Sequence, residues 1–226
     1  VTEAQWQSST DPQKMLWFLH GKESDRKLRL FACGYCRQIW HLLTDEPSHK
    51  AVEAAEGYVD GQVTIEQLGA AMLAVFRAGL EASFAEGGSA SWRTHTPHKA
   101  AYNAACSDAL KAALDSVGHA QLATNSSMAL AAQAALLRDI VGNPFRPIFL
   151  DSSWITWQDR LIRRLAEAAY HERHLPSGHL DPDRLAVLAD ALEEAGCDSQ
   201  DLPRHLRGPG SHFRGCWALD CLLAKD

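Results

Sequence analysis

Apolar residues recur along this chain at intervals of three and four. Between 25 and 43 they fall at Leu28, Phe31, Ala32, Tyr35, Ile39, Leu42 and Leu43, which is one face of a helix with a 3.6-residue period. Ser24 stands where such a helix needs a cap. Before it, Asp11-Pro12 predicts the start of a short helix that Gly21 ends. After it, Pro47 opens a third helix that runs to about Asp60-Gly61. Thr64 predicts an N-cap with Gln67 closing a capping box. The helix behind it carries Ile65, Leu68, Met72, Val75, Phe76 and Leu80. Glycine, serine and proline mark 86–97 as a loop. Two alanine-rich helices are expected over about 98–116 and 120–140, with side chains small enough for close helix contact.

"GNPFRPIFLDSS", 142–153, interrupts this pattern and is the expected linker. A helix over about 154–173 should bury Trp154, Trp157, Leu161 and Leu165. Asp181 and Pro182 begin a clean amphipathic helix through Leu185, Leu188, Ala189 and Leu192 that ends at Gly196. A short helix follows Asp198. After the turn "RGPGS", 207–211, a last helix carries Phe213, Trp217, Leu219, Leu222 and Leu223. No stretch alternates with period two; "RPIFL", 146–150, could make one short strand at most. The expectation is an all-α, multi-helix bundle of eight to ten helices with little or no sheet. Its N-terminal helical part would span 1–141, its linker 142–153 and its C-terminal helical part 154–226.

Composition narrows the function classes. The chain has 226 residues, 46% apolar and 22% charged, with a net charge of −6. That is a globular composition, and the acidic balance makes nucleic acid an unexpected partner. No apolar run approaches the ~20 residues that span a bilayer, so no membrane partner is expected. The polar, acidic start does not read as a signal peptide. Six cysteines, at 33, 36, 106, 197, 216 and 221, then read as thiols of a cytoplasmic protein and not as a disulfide framework.

Candidate chemistry sits in four places. Cys33 and Cys36 lie i, i+3 on a helix, so their thiols can face one way. Zinc needs four ligands, and Cys197 and Cys216 are the cysteines that could complete the set, with His41, His49 and His212 as further donors brought in by the fold. No cofactor is otherwise expected; zinc is possible. The plainer reading of the pair is packed core, given mid-helix placement among bulky apolar residues. "YHERHLPSGH" gives His171, His174 and His179, at looser spacing than a helical HExxH site requires. Glu167 stands one turn before His171. In "RGPGSHFRG", Gly208, Gly210 and Ser211 would lead into a helix start flanked by Arg207, His212 and Arg214, a possible anion site. Its plain alternative is a turn with Ser211 as N-cap. Arg160, Arg163 and Arg164 read as a solvated, salt-bridged face. Of seven tryptophans, Trp92 sits in a polar loop and either plugs a groove or marks a contact surface.

Three stretches carry a resemblance. They are "TDPQKMLWFLHGKESDRKLRLFACGYCRQIWHLLTDEPS", "AALLRDIVGNPFRPI" and "LPSGHLDPDRLAVLADALEEAGCDSQDLPRHLRGPGSHFRGCWALDCLLAKD". Together they resemble a family of uncharacterised proteins abundant in planctomycete bacteria, whose members carry a variable, alanine-rich middle. The resemblance implies a bacterial, cytoplasmic protein and brings no activity, cofactor or site residue. Members of that family typically have a further cysteine where this chain has Tyr35, which weakens a three-thiol site there.

Three function classes follow. The foremost is a non-enzymatic helical protein-interaction module, because helical periodicity and tryptophan abound and no GxSxG, Rossmann fingerprint or acid/base dyad stands out; the reading leans away from an enzyme. The second is a metal protein using Cys33 and Cys36. The third is a binder of a small anion at 207–214.

Overall fold

A computed structural model of the chain describes residues 1–85, 96–124, 127–148 and 150–225. The expected loop with Trp92 lies outside the described residues up to 95, and Thr96 already begins a helix. The fold is all-α, with twelve α-helices and one two-stranded sheet among the described residues. No helix among them is long and apolar enough to cross a membrane. The chain forms two compact units, Val1–Ala135 and Leu136–Asp226.

The first unit holds α1 (Glu3–Ser8), α2 (Pro12–Leu19), α3 (Asp25–Gln38), α4 (Glu46–Val59), α5 (Ile65–Ala85), α6 (Thr96–Ala104), α7 (Ala109–Thr124) and the start of α8 (Ser127–Val141). Polar side chains fix the starts. Thr2 and Gln5 make a capping box on α1, Asp11 caps α2, Ser24 caps α3 and Asp45 caps α4. On α5 the reciprocal bonds of Thr64 and Gln67 measure 2.8 and 3.3 Å. Helix α3 is buried from Lys27 to Arg37. Two of its three buried cations, Arg29 and Arg37, have buried or partly buried oxygen partners. Arg29 donates to the carbonyls of Ala104, Cys106 and Ser107, and Arg37 makes a bidentate pair with Glu56 at 3.0 and 2.8 Å. Where α6 meets α7, Ala100, Ala101, Ala104, Ala109, Ala112 and Ala113 are all buried, the close approach that alanine permits. The expected single helix over 98–116 is broken because Asp108 caps α7 through the Lys111 N–H at 2.9 Å.

The second unit holds the end of α8, then α9 (Ser152–His171), β1 (Arg173–His174), β2 (His179–Leu180), α10 (Pro182–Glu194), α11 (Asp201–Leu206) and α12 (Trp217–Leu223). The boundary therefore falls inside α8, ahead of the linker expected at 142–153. Helix α9 is not continuous either. Gln158, Asp159 and Arg160 take left-handed backbone angles (φ 42°, 55° and 61°), a conformation that costs non-glycine residues about 1–2 kcal/mol each. Asp181 caps α10 through the N–H groups of Asp183 and Arg184. Leu185, Leu188 and Leu192 of α10 are fully buried, each burial contributing about 2 kcal/mol. They pack with Ile162, Ala166 and Tyr170 of α9 and with Leu219 and Leu222 of α12.

Candidate metal centre

Four potential ligands meet in the second unit, each supplied by a different local device. Asp139 lies on the last turn of α8, three residues before Gly142. His205 ends α11. His212 lies in the turn 207–216, and Cys216 is the N-cap residue of α12. The turn is held from two sides. The Leu180 N–H donates to the His212 carbonyl at 2.9 Å, and His179 makes a β-bridge with Phe213. The Phe213 N–H donates to Asp139 Oδ2 at 3.0 Å. With Oδ2 occupied by the backbone, Oδ1 is left aimed at the two histidines.

The distances describe a convergence. His212 Nδ1 lies 2.7 Å from Asp139 Oδ1, and His205 Nε2 lies 3.3 Å from the same oxygen. Cys216 Sγ is 3.2 Å from His205 Nε2 and 3.8 Å from His212 Nδ1. All four ligand atoms fall within 4.8 Å of one another. Zinc with Zn–N and Zn–O near 2.0–2.1 Å and Zn–S near 2.3 Å has tetrahedral ligand–ligand edges of about 3.3–3.6 Å. Three of these four contacts lie within about 0.2 Å of that range, and the 2.7 Å Asp139–His212 hydrogen bond must open to admit an ion.

The same geometry speaks against a Cys–His–Asp catalytic relay. In a relay the base uses one ring nitrogen toward the nucleophile and the other toward the carboxylate. Here each histidine presents a single nitrogen to both Asp139 and Cys216. Cys216 is also fully buried, where a nucleophile would not meet its substrate.

The electrostatics suit a ligand set. Burial pushes the Asp139 carboxyl up, but hydrogen bonds from His205 and His212 and their charge outweigh it and hold it at about 2. Burial lowers His212, while the hydrogen bond and charge of Asp139, with the Gly208 backbone, carry it above its ordinary value. Asp139 is thus a carboxylate throughout the physiological range.

Among the described residues, Cys216 is the one of Cys33, Cys36, Cys197 and Cys216 that joins a group of converging donors. Cys33 and Cys36 sit in the core of α3, 1% and 0% exposed, and burial, then the neighbouring Cys33, pushes the Cys36 thiol up. Cys197 turns its sulfur toward the Ser199 carbonyl at 3.7 Å. His49 stacks on Trp40 with ring centroids 4.3 Å apart.

The helix start expected at Ser211 is corrected: α12 begins at Trp217, and Gly210 and Ser211 lie in an exposed turn. Arg207 is held by Glu193 and Asp190. The Arg214 guanidinium lies over the Tyr170 ring, 5.1 Å from its centroid, and His212 faces Asp139. Of the other histidines, His174 lies 3.5 Å from Asp181 and His179 packs edge-on against Phe213. Glu167 pairs with Arg163 at 3.0 Å rather than with His171.

Asp139 and His205 were not read as site residues in the sequence. Asp139 follows Arg138 in an alanine-rich helix, where an acid reads as solvated, and His205 sits in a six-residue helix. The spacing His205-x6-His212-x3-Cys216 was the available signal. No family model, no curated protein and no solved structure matches this chain, so the reading of the site rests on its own geometry.

Proposed function

We propose that the C-terminal unit binds a divalent transition metal, zinc foremost, through Asp139, His205, His212 and Cys216. The observation that carries this is the approach of four chemically suitable donor atoms to within 4.8 Å of one another around a common point. Two imidazoles, a thiolate and a carboxylate form a borderline-soft set that suits zinc and disfavours magnesium or calcium, which take oxygen ligands. Binding replaces the His212 proton by the ion and draws Cys216 in as thiolate. In this buried setting, with Asp139 and His212 6% exposed each, the Asp139 carboxylate and the Cys216 thiolate would balance the two charges of the ion while both imidazoles bind neutral.

Titration of the full chain with zinc tests this, read as metal per chain after gel filtration. One ion per chain is expected for the native protein and for Cys33→Ala with Cys36→Ala. Loss is expected for Cys216→Ala and for His205→Ala, the latter at the half-buried edge of the site where folding is least affected. Zinc retained by both ligand variants contradicts the proposal.

The interaction-module reading has one observation behind it, the indole of Trp17, 57% exposed on α2. Cross-linking of the full chain to a protein partner, lost in Trp17→Ala, is the result that reading requires.

A further inference from the structure

We infer that the ion at this site is sealed and structural, with Trp217 as its roof; the inference rests on the metal reading above. An open, catalytic zinc keeps one position for water or substrate. Here four protein donors are enough to complete a tetrahedral shell, and three of the four residues are almost wholly enclosed: Asp139 and His212 are 6% exposed and Cys216 0%. His205 is the partly exposed one, its side chain 21% accessible. It is against this residue that Trp217 packs, ring centroids 4.8 Å apart. The indole also lies on Gly142, where a Cβ would stand 2.8 Å from Trp217 Cγ. Trp217 follows one ligand, Cys216, and rests on the glycine that ends the helix carrying another, Asp139. The indole therefore covers the exposed edge of the site while touching two of the segments that carry its ligands. An ion held there fastens the end of α8, the end of α11, the turn 207–216 and the start of α12 to one another, and leaves slowly.

The test uses the full chain loaded with Co²⁺. The sealed site gives the intense visible bands of four-coordinate cobalt with a sulfur-to-metal charge-transfer band, and azide or imidazole leaves them unchanged. Release of the metal to a chelator is about 10- to 100-fold faster in Trp217→Ala at one ion per chain, and close to native in Trp217→Phe. Trp217→Leu, which keeps apolar packing on Gly142 but withdraws the ring from His205, gives a second route to the fast phase should Trp217→Ala fold poorly. Bands that shift with azide, or release rates equal in native protein, Trp217→Ala and Trp217→Leu, overturn the seal and leave the metal reading standing. A chain that takes up no Co²⁺ and no Zn²⁺ overturns both.

Discussion

The Phe213 N–H donates to Asp139 Oδ2 at 3.0 Å across 74 residues of chain. That bond fixes which carboxylate oxygen is left for the histidines. It also makes Asp139 the residue on which the turn 207–216 depends, because the same side chain receives His212 Nδ1 and the Phe213 backbone.

Asp139→Asn should therefore damage stability and metal uptake together. The amide cannot balance a charged His212, and one of its two ends presents N–H groups to a donor. Removing one member of a buried pair costs about 3–5 kcal/mol; the lower end is expected, since His212 can release its proton. Denaturant unfolding in the presence of a chelator measures this term without the metal. With zinc at about 100 times its Kd, native protein should gain a further ~2.7 kcal/mol that the variant lacks.

In the first unit, Glu56→Ala should be among the most damaging changes on the chain. Arg37 is 3% exposed, and its bidentate partner is Glu56. A loss of about 3–5 kcal/mol is expected for the uncompensated guanidinium, read as a shift of the urea midpoint. Arg37→Met with Glu56→Leu should recover much of that loss, since a packed apolar pair avoids the desolvation of both charges. A small effect of Glu56→Ala would show that the pair is not what holds α3 to α4.

Much of this architecture was legible in the chain. The Thr64–Gln67 box, the Asp181 cap with Pro182 and the leucines of α10 are local signals, and local physics decides them. The broken α9 was not legible, because Trp157 to Arg160 contains no glycine or proline to announce a left-handed turn. Helix α1 was missed because its six residues bury only Trp6, too little to show a period. The metal centre was half legible. His212 and Cys216 stand out as donors, but as partners for Cys33 and Cys36, since which side chains converge is decided by where α8 and α11 end in space.

The contact between His98 and Asp45 should make the first unit's stability depend on pH. His98 Nε2 lies 3.0 Å from Asp45 Oδ2. Burial pushes the Asp45 carboxyl up, but bonds from His98 and Ser48 hold it at about 2. The Asp45 hydrogen bond raises His98. A lowered carboxylate contributes stability above its unfolded pKa and loses it as pH falls toward 2. A raised histidine contributes below its unfolded pKa and loses it as pH rises through the folded value. The stability difference between native protein and His98→Ala should thus be largest near pH 5, on the order of 1 kcal/mol, and should shrink on both sides. A difference that is flat between pH 5 and pH 8 contradicts the assignment.

Cys33 and Cys36 should behave as core residues. In the native chain both thiols should resist alkylation and react only after denaturation. Cys36→Ser should destabilise by about 1–3 kcal/mol, because a hydroxyl buried without a partner retains its desolvation cost. Rapid native-state labelling at either position would point to an accessible thiol site on α3.

X-ray absorption at the zinc edge of the loaded full chain tests the central claim most directly. The coordination sphere expected from Asp139, His205, His212 and Cys216 has one sulfur at about 2.3 Å and three nitrogen or oxygen atoms at about 2.0–2.2 Å. Two or more sulfurs, or none, would contradict it.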